Sequence, residues 1–330
     1  MDVHRIELPT RFGMTTVNSY LIAGDRISLV DVGESTPECI QALEEGINKL
    51  GVQLRHVEDI IITHPHVDHI GGAGYFSEAC DATVHVSDMV YPWLTQLNQC
   101  WDHRFELIKE TMSAYVPEHM AEHFIEFYGG IKDQMLGASQ NVNPDRIRIF
   151  DTHDKSIDIG GELWQTIYAP GHSTSQTCFY HPQTRSLLSA DMLLKLTPTV
   201  LIEPKSPTST GRQVLIFQFL NSYARMRELD IEVVYPGHYE TFSDHVRLID
   251  RQVNRIHERT AQVLRHIQKG ADDILTLYNL MYPGQWNLAA MVMMISYFDL
   301  LESDGSIRTV HTPDGVKLEP LTDAMSSAQN

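Results

Sequence analysis

The segment His64-Pro65-His66-Val67-Asp68-His69 constrains this sequence more than any other part of it. It follows an apolar run at 57–62 that is typical of a buried strand, so the motif begins where that strand ends. In an extended turn, residues two apart point the same way, so His64 and His66 can converge on one ion. Asp68 and His69, where the chain bends into a helix, face a neighbouring point. Imidazole and carboxylate ligands together suit zinc, with iron or manganese as alternatives.

Three further ligand-type residues follow strand-like segments later in the chain. His172 and His238 each follow a Pro-Gly pair, and Asp191 ends the segment Ser-Ala-Asp. Each residue alone is weak evidence, because a single loop histidine is usually solvated. Together they place His or Asp side chains at strand ends, where an open sheet presents its ligands. The pattern predicts one site that combines these residues with the motif at 64–69.

These motifs resemble those of the metallo-β-lactamase superfamily. The resemblance covers about residues 15–245 and is carried, in the family's order and rough spacing, by Asp31 in Val-Asp-Val-Gly, the HxHxDH run, His172, Asp191 and His238. It implies an α+β fold class, an αββα sandwich in which helices cover two packed sheets. It also implies a dinuclear site. His64, His66 and His172 would hold the first ion, and Asp68, His69 and His238 the second. Asp191 and a hydroxide would bridge the two ions.

The resemblance also assigns chemistry to single residues. Asp31 would orient ligand imidazoles and fix their tautomer, although it could instead merely cap the turn at Gly33. Because an aspartate, Asp191, stands at the bridging position and no cysteine does, the chain looks like the glyoxalase-II-type hydrolases, the lactonases and related thioesterases. Two divalent ions, zinc first and iron or manganese as alternatives, would lower the pKa of a shared water and make hydroxide available at neutral pH. Asp68 and Asp191 are the predicted catalytic residues, and Asp68, a ligand first, is a candidate acceptor for the proton of that water.

The pattern of helices and strands predicts two parts. A metallo-β-lactamase-like domain spans 1–245 and contains a helical insertion at about 87–143, with helices near 88–100, 103–115 and 118–136 and a candidate role as a lid. The segment 246–330 predicts helices followed by a hairpin with a turn at 312–315. That order is the outline of a small winged-helix module, as one branch of the superfamily carries.

Charge and composition limit the partners. Asp and Glu number 43 against 25 Lys and Arg, a formal net charge of −18, so we expect no broad basic face for nucleic acid and no adhesion to anionic membranes. No apolar run is long enough to span a bilayer, and no targeting segment is evident. The four cysteines form no CxxC pair, which favours reduced thiols. We expect a cytoplasmic protein that acts on a small molecule, and a homodimer is compatible with the sequence.

Three functional classes stay open. The first is a metal-dependent hydrolase that uses a metal-bridging hydroxide on a small acyl thioester, ester or lactone. The second is a nuclease or phosphodiesterase of the same superfamily, for which one helix offers a basic strip at Arg251, Arg255, Arg259 and Arg265. The third is a non-catalytic metal-binding regulator, which the complete ligand set disfavours.

Two weaker signals concern other side chains. Lys195 and Lys205 follow Asp191 and could contact an anionic group of the substrate, although lysines in loops are usually solvated. The segment at 119–123 spells HxxEH, an inverted zinc-protease signature on a predicted helix. No third ligand accompanies it, so we interpret it as a solvated helix face.

Overall fold

Two β-sheets lie face to face at the centre of the molecule and present the ends of their strands at one edge. The computed structural model describes residues 1–12, 16–153, 155–207, 209, 211–285, 287–312 and 315–321, with the side chain of His119 left out. Of the predicted features, the centre of the turn at 312–315 falls outside these residues, as does the side chain of the first histidine of the HxxEH segment.

The first sheet has six strands in sequential order, antiparallel from β1 to β3 and parallel from β3 to β6. Its strands are β1 (Asp2–Pro9), β2 (Thr16–Ala23), β3 (Ile27–Val30), β4 (Asp59–Ile61), β5 (Thr83–Ser87) and β6 (Ile147–Phe150). The parallel strands β3 and β4 are short and nearly fully buried, as strands covered on both faces are.

The second sheet has five strands in the order β11-β10-β9-β8-β7, antiparallel except for the parallel pair of β10 and β11. Its strands are β7 (Ser156–Ile159), β8 (Glu162–Tyr168), β9 (Thr177–His181), β10 (Ser186–Ala190) and β11 (Val233–Pro236). β9 and β10 are buried along their whole length, so both faces of this sheet are covered too.

Helices cover the outer face of each sheet. The first sheet carries α1 (Pro37–Lys49), α2 (Val67–Ile70) and α3 (Ala73–Cys80), and the second carries α7 (Leu215–Arg227) and α8 (His245–Ile267). Between the sheets lies a separate apolar layer whose aromatic members are Tyr20, Phe150, Trp164 and Phe179. The predicted α+β class and αββα sandwich are confirmed. All four cysteines are buried and free.

The segment between β5 and β6 is helical. It forms α4 (Tyr91–Thr95), α5 (Leu97–Tyr115) and α6 (Glu118–Gly137). The sequence pattern placed a break near residue 101, but α5 is continuous there and the chain instead leaves helical geometry at Gln96, with φ −132° and ψ 41°. Helix α5 buries Trp101, Leu107 and Met112, so the segment is packed against the rest of the molecule and is not a loose appendage.

The C-terminal segment continues from α8 into α9 (Ile274–Met281), α10 (Leu288–Ser303) and the hairpin β12 (Ile307–Thr312) and β13 (Gly315–Pro320). Its apolar side chains share one core with α5, α6 and α7: Leu277, Phe298 and Leu318 belong to the same cluster as Met112 and Phe219. The division at residue 245 and the winged-helix relationship stay predictions. None of the helices in the described residues combines the length and apolar character that crossing a bilayer requires.

Candidate metal centre

The ligand-type residues of the sequence meet at one edge of the two sheets. They come from the loop after β4, from α2, from the loop between β8 and β9, from the residue directly after β10 and from the second residue after β11. In chain order they are His64, His66, Asp68, His69, His172, Asp191 and His238. His66 and His172 are partly exposed and the other five are buried, so the cluster has one open side.

The first group of facing atoms contains three imidazoles and one carboxylate. Nδ1 of His66 lies 3.0 Å from Nε2 of His64 and 2.9 Å from Nε2 of His172. Oδ2 of Asp191 lies 3.4 Å from the same Nε2 of His172. One ligand atom from each of the four residues therefore falls within 4.8 Å of the others, close enough to surround one metal ion.

The second group lies on the other side of Asp191. Nε2 of His238 lies 3.4 Å from Oδ2 of Asp68 and 3.3 Å from Oδ2 of Asp191. Nε2 of His69 lies 3.4 Å from Oδ1 of Asp191, and His69 belongs to the same group as Asp68 and His238. Asp191 thus faces both groups.

Metal ions fit this arrangement. Nε2 of His69 and Oδ1 of Asp191 are buried and find no hydrogen-bond partner among the described residues, a costly state for polar atoms in a protein interior. Nδ1 of His66 also lies only 2.9–3.0 Å from Nε2 of His64 and of His172. The lone pairs of neutral imidazoles at this distance repel one another, and a cation that they coordinate together would offset this repulsion. Nitrogen and carboxylate oxygen donors of this kind suit zinc, and also iron or manganese.

The ring nitrogens that point away from the cluster are fixed by partners. Nδ1 of His172 contacts the carbonyl oxygen of Thr199 at 2.9 Å, and Nδ1 of His238 contacts that of Thr16 at 2.6 Å. Nδ1 of His64 contacts Oγ1 of Thr63 at 2.9 Å. A proton on each of these Nδ1 atoms leaves Nε2 with its lone pair toward the cluster, which is the tautomer a metal ligand requires.

Asp31 holds a fourth imidazole. Its Oδ2 lies 2.7 Å from Nδ1 of His69 and accepts from Oγ1 of Thr63 at 2.8 Å, while its Oδ1 accepts from the backbone N–H of Thr63 at 3.0 Å. Asp31 has φ +56°, a left-handed conformation that is unfavourable for a non-glycine residue. Its carboxylate is thus occupied by three donors, as expected of a residue that orients a ligand. The rival interpretation, a cap for the turn at Gly33, does not account for these bonds.

Gly237 allows the chain to approach the centre closely. A Cβ atom at this position would lie 2.1 Å from Oδ1 of Asp191 and 2.8 Å from Cε1 of His69. Any larger residue would displace one of these side chains, so the Pro-Gly-His arrangement at the end of β11 has a steric reason.

The pKa values of histidines shift in opposite directions in the two groups. Burial, together with the neighbouring imidazoles His69 and His66, lowers the pKa of His64 well below its usual range. Burial and His66 lower the pKa of His172 to about 4. His238 behaves oppositely: burial opposes its charge, but Asp191 and Asp68 raise its pKa to about 10. His64 and His172 in the first group would therefore bind a metal as neutral imidazoles, whereas a metal would have to displace a proton from His238.

Two side chains next to the cluster, Glu203 and Arg104, belong to no sequence motif. Glu203 is buried, with one carboxylate oxygen 3.4 Å from Nε2 of His66 and the other accepting from Oγ of Ser173 and Oγ1 of Thr174, each at 3.0 Å. Arg104 of α5 lies 3.5 Å from the first of these oxygens. Burial raises the pKa of Glu203, but Arg104, His66 and Thr174 outweigh burial and hold the pKa below its usual range. His66 is thus fixed through Nε2, with Nδ1 toward the cluster.

A cleft of about 610 Å³ opens over the cluster. The helical segment contributes Trp101, Arg104, Phe127 and Ile131 to its walls, and α10 contributes Leu288 and Val292. The walls are mainly apolar, and Arg104 is the only Lys or Arg among the described residues that line the cleft. Arg104 is itself held over the rings of Trp93 and Trp101, at 5.9 and 5.3 Å from their centroids.

The weaker sequence signals lie elsewhere. Lys195 is exposed and lines a separate hollow with Arg247 and Arg251, and Lys205 is exposed on a loop. His123 of the HxxEH segment belongs to none of the potential metal groups that the described residues form. On α8, Arg259 lies 5.4 Å from the ring centroid of Tyr282, so one member of the predicted basic strip packs against the protein.

Comparison with known proteins assigns the family. Residues 13–238 match the model of the metallo-beta-lactamase superfamily. The chain is 25% identical to the "Probable metallo-hydrolase YqjP" of Bacillus subtilis (strain 168) over 311 residues, which is 93% of this chain and 94% of that protein. It is 20% identical to an "Atrochrysone carboxyl ACP thioesterase" of Aspergillus fumigatus over 169 residues, 51% of this chain and 49% of that protein.

A solved structure gives the same result for the fold. The crystal structure of a metallo-beta-lactamase family protein, TTHA1429, from Thermus thermophilus superposes with a TM-score of 0.75 at 21% identity, covering 97% of this chain and 98% of that chain. At this identity the likeness concerns the fold alone. The matched family model covers more than half of the sequence, and it spans every predicted ligand from His64 to His238. This chain belongs to the metallo-beta-lactamase superfamily.

Proposed function

We propose that the protein is a dinuclear metal-dependent hydrolase that cleaves a small acyl thioester, ester or lactone. The position of Asp191 carries the proposal. Its Oδ2 lies 3.4 Å from Nε2 of His172 in the first group and 3.3 Å from Nε2 of His238 in the second, and its Oδ1 lies 3.4 Å from Nε2 of His69 in the second. A carboxylate in that position can bridge two ions. The metallo-hydrolase and thioesterase descriptions of two relatives also support it.

The chain's own residues have distinct tasks in this proposal. His64, His66 and His172 would hold one ion, and Asp68, His69 and His238 the other. Divalent ions supply acidified water and a positive charge for the carbonyl oxygen. Asp31 keeps the proton of His69 on Nδ1, and the carbonyl groups of Thr16 and Thr199 do the same for two other rings. Asp68, with an oxygen 3.4 Å from His238 and a place in the cleft wall, is positioned to take a proton on the substrate side.

The cleft favours an acyl substrate over a nucleic acid. A nucleic-acid site needs several cations along the backbone, since phosphate contacts supply most of its affinity. The described walls of this cleft contain one guanidinium, Arg104, and it is paired with Glu203. Apolar walls with few polar groups are typical of small-molecule sites. We therefore place hydrolysis of a small acyl compound ahead of nuclease activity and of a non-catalytic role.

The test is turnover by the protein loaded with zinc, iron or manganese in separate preparations. We expect hydrolysis of acyl-CoA or glutathione thioesters, simple esters or lactones, and no cleavage of single-stranded RNA. Asp191→Asn should reduce kcat/KM by at least about 100-fold while leaving circular dichroism unchanged. Asp25→Asn, a substitution at an exposed turn, is the matched control and should behave as the native protein. Full activity of Asp191→Asn, or cleavage of RNA alone, would refute the proposal.

A further inference from the structure

A second cavity, which we call the apolar chamber, adjoins the cleft. It has a volume of about 410 Å³ and lies between α5, α6, α9 and α10. Its walls are Met112, Val116, Met120, His123, Phe124, Phe127, Leu275 and Met291. Phe127 also lines the cleft over the metal centre, so the two cavities meet at this side chain.

Packing alone does not account for the apolar chamber. His123 and Phe127 in its walls are exposed, so the chamber opens to solvent on one side, and apolar side chains that line an open pocket are typical of small-molecule sites. Three of the wall residues are methionines, whose flexible thioethers adapt to apolar ligands of variable shape. Phe127, at the junction of the two cavities, is 56% exposed. An apolar ligand that passes from the cleft into the chamber would cover this ring.

The two cavities together run from polar to apolar. The cleft is lined by carboxylates and imidazoles of the metal centre and also by the apolar side chains of Phe127, Ile131 and Val292. Met291 and Val292 are neighbours on α10, one lining the chamber and the other the cleft, so one helix forms a wall of both. None of the described chamber residues is Lys, Arg, Asp or Glu. His123 is the one polar side chain among the described wall residues, so most of the surface that a ligand would contact in the chamber is apolar.

We propose that the apolar chamber binds the hydrocarbon chain of an acyl substrate whose carbonyl group lies at the metal centre. This inference rests on the proposed function and narrows its substrate class to acyl groups long enough to pass Phe127. A short acyl group ends within the cleft and leaves the chamber without a ligand. Each methylene that enters the chamber should increase affinity about fourfold, because it leaves water for an apolar site.

Measurements of ligand affinity test the chamber assignment without relying on turnover. Calorimetric titration of the metal-loaded protein with butyrate, octanoate and dodecanoate should give affinities that rise with chain length. Leu275→Trp should fill the chamber and remove most of that rise. Leu280→Trp is the matched control, because Leu280 lies on the same helix, is 47% exposed and is not part of the chamber wall. Equal affinities for the three acids, or a rise that persists in Leu275→Trp, would overturn the inference.

A second variant covers the case in which Leu275→Trp does not fold. Phe127→Asp changes an exposed residue and places a charge where the chain must pass, so it should also remove the preference for dodecanoate over butyrate. If Phe127→Asp still binds dodecanoate more tightly than butyrate, the inference is overturned, as it would be by a rise in affinity that persists in Leu275→Trp.

Turnover separates this inference from the proposed function. The ratio of kcat/KM for dodecanoyl and acetyl thioesters of N-acetylcysteamine should exceed about 100 in the native protein and fall at least tenfold in Leu275→Trp. Chain-length-dependent binding without turnover of any acyl compound would refute the proposed function and leave the chamber assignment standing. Turnover with equal kcat/KM at all chain lengths would refute the chamber assignment and leave the proposed function standing.

Discussion

Glu203 connects the helical segment to the metal centre. Its carboxylate lies within 3.5 Å of both Arg104, on α5, and His66, a proposed metal ligand. Both members of the Arg104–Glu203 pair are more than nine-tenths buried, so neither charge has an alternative partner in water. The pair therefore has two effects that can be measured separately, one on metal affinity and one on folding.

We predict that Glu203→Gln weakens metal binding about 10-fold to 100-fold, because residues that orient a ligand imidazole have effects of this size. It should also lower the free energy of unfolding by roughly 3 kcal/mol, since Arg104 keeps a buried charge without its counter-ion. Chelator competition measures the first effect and urea denaturation the second.

The double variant Arg104→Met/Glu203→Gln is the informative control. It removes both charges, so most of the lost stability should return while metal affinity stays low. Glu162→Gln, at a half-exposed glutamate, should change neither quantity. Unaltered metal affinity in Glu203→Gln would show that its contact with His66 does not position the ring.

The sequence predicted the proposed ligands and one residue that supports them, Asp31, but it did not predict the other supporting groups. His64, His66, Asp68 and His69 stand within six positions at the end of a strand of the first sheet, and His172, Asp191 and His238 each follow a strand of the second sheet, so the packing of the two sheets brings them together. Glu203 and Arg104 are 99 residues apart and belong to no motif. Their meeting depends on how α5 packs. The carbonyl groups of Thr16 and Thr199 leave no signal at all, because any residue supplies a carbonyl.

At the scale of elements, α10 is fixed to the segment that carries Glu203. Arg212 donates from Nη1 to Oδ2 of Asp299 at 2.7 Å, with a second bond from Nη2 to Oδ1 of the same pair. Arg212 and Pro204 form an isolated antiparallel β-bridge, and the backbone N–H of Gln213 donates to the carbonyl oxygen of Glu203 at 2.8 Å. The helix that lines the cleft and the loop that orients His66 are thus held together.

We predict that Asp299→Asn lowers the free energy of unfolding by about 1–3 kcal/mol, because it leaves a partly buried guanidinium without its counter-charge. The exposed pair Arg308–Glu319 supplies a matched control, and Glu319→Gln should cost less than about 1 kcal/mol. Urea denaturation of both variants measures the difference. Equal, small effects would mean that the bidentate pair does not stabilise α10.

Strands could be predicted from the sequence where turn-forming residues bound a run of apolar residues. Apolar segments that lie next to Gly, Pro or Asp predict strands at 147–150, 163–168, 177–180 and 186–189. Strand β6 has the first of these bounds, and β8, β9 and β10 are each one residue longer at one end. The hairpin of β1 and β2 was not predicted. β1 has only two buried residues, Ile6 and Leu8, and β2 is nearly all buried, so the pair does not share one alternating pattern. The break at Gln96 was missed because it rests on tertiary packing, with no glycine there and the nearest proline four residues before it.

At the scale of the whole molecule, the proposed metal centre joins parts of the chain that are distant in sequence. Its ligand-type residues run from His64 to His238, and they connect the edges of both sheets. Three buried carboxylates, Asp31, Asp68 and Asp191, also lie close together there. Bound cations would offset their repulsion, and an unfolded chain cannot assemble such a site. Metal binding should therefore stabilise the folded state selectively.

We predict that removing the metal lowers the melting temperature of the entire protein. At free zinc about 1,000 times its dissociation constant, binding contributes about 4 kcal/mol to folding, which corresponds to roughly 5–10 °C for a chain of this size. Scanning calorimetry of zinc-loaded and EDTA-treated protein measures the shift, and it should grow with zinc concentration. Asp191→Asn should respond much less, because it lacks the carboxylate that faces both ligand groups, whereas Asp25→Asn should respond fully. Identical melting curves with and without zinc would show that the cluster does not bind zinc, and iron and manganese would then be titrated in the same way.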